Sequence, residues 1–282
     1  RSKLADGDED ATPPDTDLTM EPLVEVLQGK RTVHFHTHRA DDILTVLRLK
    51  REFGFELVIQ HGTEGYKVIR EIAAAGVPVS MTIVDSPGGK AEVVDFIEAC
   101  GLELTAAGVS IHVNTDDPVT ESRFFLRTAS AVVRGGLDTA TALKAITLNP
   151  AQAMHLGHRV GSLEVGKDAD FVLLSGEPFS IYTRVLQTWI EGEKLFDLDD
   201  DFQRLYQTGG FPLADRASVP KQDNLVEASK PIAEATQPAK TKVATQADKT
   251  FAIFAGRVHT VSDGTVENGV VFVEDGKIVY AG

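Results

Sequence analysis

Residues 33–39 read VHFHTHR, and the reading of this stretch decides the fold. His34, His36 and His38 stand at every second position, the period at which side chains share one face of a β-strand. The residues that follow, ADDILTVLRLKREFG, place Ile43, Leu44 and Leu47 on a helical stripe. Asp41 and Asp42 suit the positive N-terminal end of that helix, and Gly54 suits its stop. The alternation then repeats. ELVIQH reads as a second strand, and EGYKVIREIAAAG carries Val68, Ile69, Ile72 and Ala73 on one helical face. VPVSMTIV is a third strand, and KAEVVDFIEACG sets Val93, Phe96, Ile97 and Cys100 at helical spacing. GVSIHVN is a fourth, followed by two helical patterns to about Leu148. Such alternation with short connections implies parallel strands joined by right-handed crossovers. Four repeats fit half of a (β/α)8 barrel or a small open sheet, and composition does not choose between them.

After Pro150 the texture changes. HRVGSLEVGKDADFVLLSG and TRVLQTWIEGEKLFD are strand-rich and punctuated by glycine, as in a small β-subdomain. Residues 200–250 lose hydrophobic periodicity and are rich in Lys, Ala, Thr and Pro, the composition of a solvated linker. From residue 251 to 282, alternating apolar residues describe a β-meander with turns expected at Ser262-Asp263-Gly264, Glu267-Asn268-Gly269 and Glu274-Asp275-Gly276.

The chain has 282 residues, 42% apolar and 25% charged, enough for one large or two modest cores. A net charge of -14 argues against a nucleic-acid surface, because phosphates need a basic stripe. No apolar run approaches the roughly 20 residues of a membrane-spanning helix. The single cysteine, Cys100, rules out an internal disulfide framework. The first residue is Arg1, so a targeting segment is expected upstream if there is one. A soluble protein of the cytoplasm or periplasm is the expectation, without a choice between them.

Three residues share one topological property. His36 ends the first strand, His61 the second, and Asp116 the fourth, with Asp117 beside it. In parallel α/β architectures, ligands and catalytic groups cluster at the carboxyl ends of the strands, where the βα loops converge. Two neutral imidazoles and a carboxylate suit Zn²⁺, Mn²⁺, Fe²⁺ or Co²⁺. Such a metal lowers the pKa of bound water to about 7, and a nearby carboxylate can take its proton. His38 lies past the strand end and is expected to support a ligand or face substrate, as is Asp117. His34 is read as a packing residue, and His112, His155, His158 and His259 as structural. Cys100 falls on a core stripe. The acidic run Asp197–Asp201 lacks the spacing and glycine of a calcium loop and reads as a solvated turn.

VHFHTHRADDI, VIQHGTEGY, VNTDDP and NPAQAMHLGHRVGSLEVGKDADFVLLSG together resemble the C-terminal half of the amidohydrolase superfamily, nearest its imidazolonepropionase-like branch. The most specific part is N-P-A-x-A followed by G-S-L-E-V-G-K-D-A-D-F-V-L-L. In that family it leads from the last barrel helices into the flanking β-sandwich. Residues 251–282 resemble a different part, the strands that open such a protein. The resemblance implies that His36 is the metal-binding histidine ending strand five. His61 would end strand six, as a second metal ligand or a water-orienting group. Asp116 would be the strand-eight aspartate that binds metal or water and shuttles the proton. The 25 residues between His36 and His61 fit one βα unit. The family's strand-one His-x-His pair and strand-four lysine or glutamate have no counterpart at matching positions here.

The resulting expectation is an α/β chain: the C-terminal half of a TIM barrel, strands 5–8, over residues 1–155, with an attached β-sandwich subdomain over 156–199. A linker over 200–250 and opening strands of a second unit over 251–282 follow. Alternatively, 251–282 fold back to complete the same sandwich, since about fifty flexible residues span roughly 35 to 42 Å. The expected activity is metal-dependent hydrolysis of C–N bonds in cyclic amide, amide or amidine-like small molecules, with one or two divalent metals, zinc foremost. The partners expected are a small-molecule substrate, the rest of the barrel upstream or in another chain, and a homo-oligomer, with no nucleic acid. The visible residues alone are expected not to catalyse, because half the ligand set is missing and a half-barrel leaves strand edges unpaired. A non-catalytic assembly or binding module is the alternative. A nucleotide-binding open sheet fares poorly, since SPGGK at 86–90 is too short a match for a phosphate loop.

Overall fold

In a computed structural model, residues 17–83, 90–205 and 250–282 are described. Most of the expected linker, residues 206–249, lies outside them, as do the first sixteen residues and 84–89 of the SPGGK region. A short helix α1 (Glu21–Leu27) precedes β1 (Val33–Thr37), α2 (Ala40–Phe53), β2 (Leu57–His61), α3 (Ile69–Ala75), β3 (Val79–Thr82), α4 (Cys100–Ala106) and β4 (Ile111–Asn114). The four strands form one parallel sheet in the order β1-β2-β3-β4, each crossover advancing one place. Helix α2 forms as its charges require. Asp41 and Asp42 occupy its first turn and Lys50 and Arg51 its last. It stops at Gly54, whose φ of 74° lets its N–H reach the Lys50 carbonyl. Its buried face is Ile43, Val46 and Leu47, while Leu44 is exposed.

Strand alternation gives the sheet two unlike faces. Leu57, Ile59, Val79, Met81, Ile111 and Val113 pack with Ile43, Val46, Ile72 and Leu104 of the helices into the main core. Each such side chain contributes about 1.5–3 kcal/mol by leaving water. The alternate positions, Gln60, Ser80, Thr82, His112 and Asn114, are polar and belong to the opposite face. Three more helices follow, α5 (Phe125–Arg134), α6 (Thr139–Ile146) and α7 (Leu148–Ala153). Asn149 of α7 donates from Nδ2 to the Ile111 carbonyl at 2.9 Å and ties this end to β4.

Residues 90–101 differ from the expected helix. A 3-10 turn, Ala91–Val93, is followed by turns, and α4 begins only at Cys100. Val93 and Cys100 are buried, as their spacing indicates, but the backbone between them follows tertiary contacts. Lys67 Nζ meets Asp95 at 2.5 Å, Tyr66 donates its hydroxyl to the Asp95 carbonyl, and Arg134 pairs with Glu98 at 2.6 Å.

Two three-stranded antiparallel sheets complete the described chain. One holds β5 (Phe171–Leu174), β6 (Val185–Ile190) and β7 (Glu193–Asp197); the other is the meander β8 (Thr250–His259), β9 (Thr265–Glu274) and β10 (Lys277–Ala281). The expected turn at Glu267-Asn268-Gly269 is instead inside β9. Asn268 takes φ 50° there, and β8–β9 pairing holds on both sides, Ala255 opposite Gly269 and Arg257 opposite Glu267. The meander binds the segment before β5 through its backbone. Ala169 N–H donates to the Gly276 carbonyl at 2.9 Å, Gly166 N–H to the Ile278 carbonyl at 2.8 Å, and Ile278 N–H to the Lys167 carbonyl at 3.0 Å. Trp189 of β6 lies between Phe171 and Phe251, with ring centroids 5.7 and 4.7 Å away.

Asp168 is a buried carboxylate at this junction, and it accepts from Lys277 and Arg159. These hydrogen bonds, Lys277 first, hold the carboxyl below the usual carboxylate range. Asp168→Ala is expected to cost about 1–3 kcal/mol, the scale of losing charged hydrogen bonds whose partners stay half-exposed. The midpoint of urea unfolding measures this, and an unchanged midpoint would contradict the role given to Asp168.

Candidate metal centre

The strand ends bring three histidines together. His36 lies on β1, His38 just beyond it, and His61 closes β2. One nitrogen from each of the three rings lies within 4.8 Å of the others. His61 sits at φ 67° and Gly62 at φ 55°, a left-handed pair that turns the chain off the strand. Gly62 N–H donates to the Thr37 carbonyl at 2.9 Å, which locks the two strand ends to each other. A Cβ at Gly62 would lie 2.5 Å from Val79 Cγ1, so only glycine fits. A non-glycine residue held at positive φ is a backbone strain that functional sites accumulate. Asp116, at φ 50°, is another of the seven non-glycine residues at positive φ among the described residues.

His36 Nδ1 faces His61 Nε2 at 2.9 Å. Two nitrogens that each lie about 2.0–2.1 Å from a tetrahedral zinc are about 3.3 Å apart, so a few tenths of an ångström separate this pair from a ligand pair. The donor set therefore fits a divalent metal of borderline hardness. His61 is buried and His36 exposed. Burial, and then the charge of His36, push the His61 pKa down. His38 is pushed down to about 4 by burial, with the His61 and Lys90 charges adding to it. Both are neutral at pH 7, the form that can donate a lone pair to a metal.

His38 is nevertheless tied into the protein. Its Nδ1 meets Thr63 Oγ1 at 2.8 Å and its Nε2 meets Lys90 Nζ at 3.0 Å. Lys90 is also paired with Glu92 at 2.8 Å. Asp116 is exposed and lies outside the group of three imidazoles, although its charge acts on His61 to raise the pKa against the burial effect. Asp117 is turned elsewhere: it accepts from Ser122 N–H at 3.0 Å and Ser122 Oγ at 2.6 Å, which holds its carboxyl below the usual range. His34 is exposed rather than packed, because β1 is an edge strand, and its Nδ1 meets Gln60 Nε2 at 2.7 Å. His112 is buried and burial pushes it down to about 4. Sequence reasoning missed Thr63, Lys90, Thr82 and Asn114. The one available signal was the run of polar residues at alternate positions of β3 and β4.

The profile of the amidohydrolase family matches residues 6–204. The chain belongs to that family. An amidohydrolase, tasK, of Hapsidospora irregularis is 28% identical over 185 residues, 64% of this chain and 19% of that protein. An imidazolonepropionase of Syntrophobacter fumaroxidans is 49% identical over 78 residues, 26% of this chain and 18% of that protein. The crystal structure of an amidohydrolase from Thermotoga maritima superposes with a TM-score of 0.65 at 38% identity, covering 70% of this chain and 51% of that one. The chain thus spans about half of that structure and less than a fifth of each of these two curated relatives. Family membership makes the parallel sheet part of a TIM-barrel-related α/β fold with antiparallel sheets beside it. Among the described residues no helix is long and apolar enough to cross a membrane.

His38 and His112 bind fewer protons folded than unfolded between pH 6.5 and about 4. Stability therefore rises with pH across this window and is lost as pH falls through it. The thermal midpoint of the metal-free protein is expected to drop on acidification from pH 6.5 toward 4, with a shallower drop in His112→Gln. Equal slopes in the two proteins would contradict the assignment.

Proposed function

We propose that the intact protein is a metal-dependent hydrolase of C–N bonds in small molecules, with cyclic amides, amides and amidine-like groups as its substrate class. The observation that supports this most is the facing pair, His36 Nδ1 and His61 Nε2, at the carboxyl ends of adjacent parallel strands. His36 and His61 would hold the cation, zinc first among Zn²⁺, Mn²⁺, Fe²⁺ and Co²⁺. When bound, the cation supplies a water whose pKa is lowered to about 7 and polarises the substrate carbonyl. Asp116 would be the carboxylate that takes up a proton and gives it to the departing nitrogen. His38, held by Thr63 and Lys90, would support the ligand pair or face the substrate. In this reading β1–β4 are strands five to eight of a barrel over residues 1–155, and 156–199 belong to its sandwich. Residues 251–282 either open a second unit or complete that sandwich, and their contacts with residues 163–170 and Trp189 favour the latter. Names of relatives agree with hydrolysis at carbon–nitrogen bonds: imidazolonepropionase, and an N-acetylglucosamine-6-phosphate deacetylase of Bos taurus.

One observation favours a second reading, a non-catalytic amidohydrolase-like module. Asp116 is exposed and outside the imidazole group. The two readings part on the full-length protein, assayed for metal content and for turnover of a panel of cyclic amides and N-acyl compounds. Hydrolysis predicts that His36→Ala loses bound metal, whereas Asp116→Asn keeps it and loses about 10²–10⁴-fold in rate. Metal content untouched by His36→Ala, or full turnover in Asp116→Asn, would sink the catalytic assignment.

A further inference from the structure

From His61 a partly buried chain of hydrogen bonds crosses from β2 to β4, and its direction can be read atom by atom. Asn114 on β4 places Nδ2 at 3.2 Å from the Ser80 carbonyl oxygen and 2.8 Å from Ser80 Oγ. A carbonyl oxygen only accepts, so Asn114 must present its NH₂ to Ser80 and its Oδ1 the other way. Thr82 Oγ1 lies 2.7 Å from that Oδ1 and donates its single proton to it. With its proton used, Thr82 can only accept from the fourth member, His61 Nδ1, at 2.8 Å. His61 Nδ1 must therefore carry a hydrogen. Ser80 and Thr82 are 7% and 8% exposed, so water competes little for these bonds.

We infer that Ser80, Asn114 and Thr82 act as a positioning relay that fixes His61 as its Nδ1–H tautomer and presents its bare Nε2 to His36 Nδ1. The direction originates in one backbone carbonyl two residues before Thr82. In its consequence for the cation the inference rests on the proposed metal site, but the tautomer itself does not. The arrangement also separates the three histidines. Lys90, an ammonium that only donates, occupies His38 Nε2, while the Nε2 of His61 meets no donor but His36. His61 is thus the histidine whose lone pair the fold holds ready. A ligating histidine is oriented by the partner of its other nitrogen, and removing such a partner typically costs 10–100-fold in metal affinity.

The test is nitrogen NMR of the ¹⁵N-histidine-labelled full-length protein, freed of metal, with His61 assigned by its loss in His61→Asn. The expected result is a protonated Nδ1 and an unprotonated Nε2 at neutral pH. Thr82→Val, which keeps shape and removes the hydroxyl, should populate both tautomers and weaken Zn²⁺ binding 10–100-fold in a titration with Zn²⁺ alone. Thr82→Ser restores the hydroxyl and should return both readouts to the parent values, which distinguishes positioning from a packing role. A protonated Nε2 in the parent protein overturns the inference, whether or not any variant folds. So does a Thr82→Val protein with parental tautomer and parental Zn²⁺ affinity. An Nδ1–H tautomer in a protein whose His61 takes no Zn²⁺ supports the relay and instead defeats the metal reading.

Discussion

The site depends on one backbone donor, the Gly62 N–H, which is shared between the Thr37 and Gln60 carbonyls at 2.9 Å each. It ties the end of β2 to the end of β1 at the point where both chains leave the sheet. Parallel pairing sets His36 opposite Gln60 and Thr37 opposite His61, so the histidines are one residue out of step along their strands. On a regular strand, that offset would send the His61 side chain to the helix-packed face with Ile59. The left-handed backbone at His61 and Gly62 coincides with the reversal of that outcome: the imidazole instead meets His36 and the polar face residue Thr82. Gly62, against Val79, is the residue that permits the turn. The strain is offset by the packed sheet beneath it, where Ile59 and Val79 are fully buried.

This geometry explains what the sequence could and could not disclose. The placement of His36 and His61 at adjacent strand ends was legible because strand ends follow from apolar runs and turn residues, and parallel folds gather chemistry at those ends. The same reasoning put Asp116 past the end of β4, where it is exposed and outside the imidazole group, and it did not reveal the engagement of Asp117 with Ser122, which depends on the local turn after Pro118. Thr82 and Asn114 carried no signal as individuals. A threonine inside a strand is ordinary by propensity, and its function rests on a neighbour 32 positions away that no local pattern connects to it. The stretch 91–99 was misjudged by the same limit: apolar spacing located its buried residues, and contacts from Lys67, Tyr66 and Arg134 set its backbone.

The β-rich part obeys a different constraint. The two small antiparallel sheets share a junction built on Asp168, Trp189 and the backbone of residues 163–170. The meander β8–β10 has its own buried centre, Val258, Val271, Val273 and Ile278, to which Ala169 from the other segment contributes. A charged residue, rather than another aliphatic one, at this join demands a specific register, since Asp168 is satisfied only when Lys277 and Arg159 both reach it.

In the proposed site His36 and His61 would together hold a divalent cation, His36 Nδ1 giving up the hydrogen it shares with His61 Nε2. Anomalous diffraction at the zinc absorption edge, from crystals of the full-length protein equilibrated with Zn²⁺, tests it most directly. The expected result is a zinc peak within about 2.0–2.1 Å of both His36 Nδ1 and His61 Nε2. A zinc peak bonded to neither atom, with both imidazoles left in mutual contact, would contradict it.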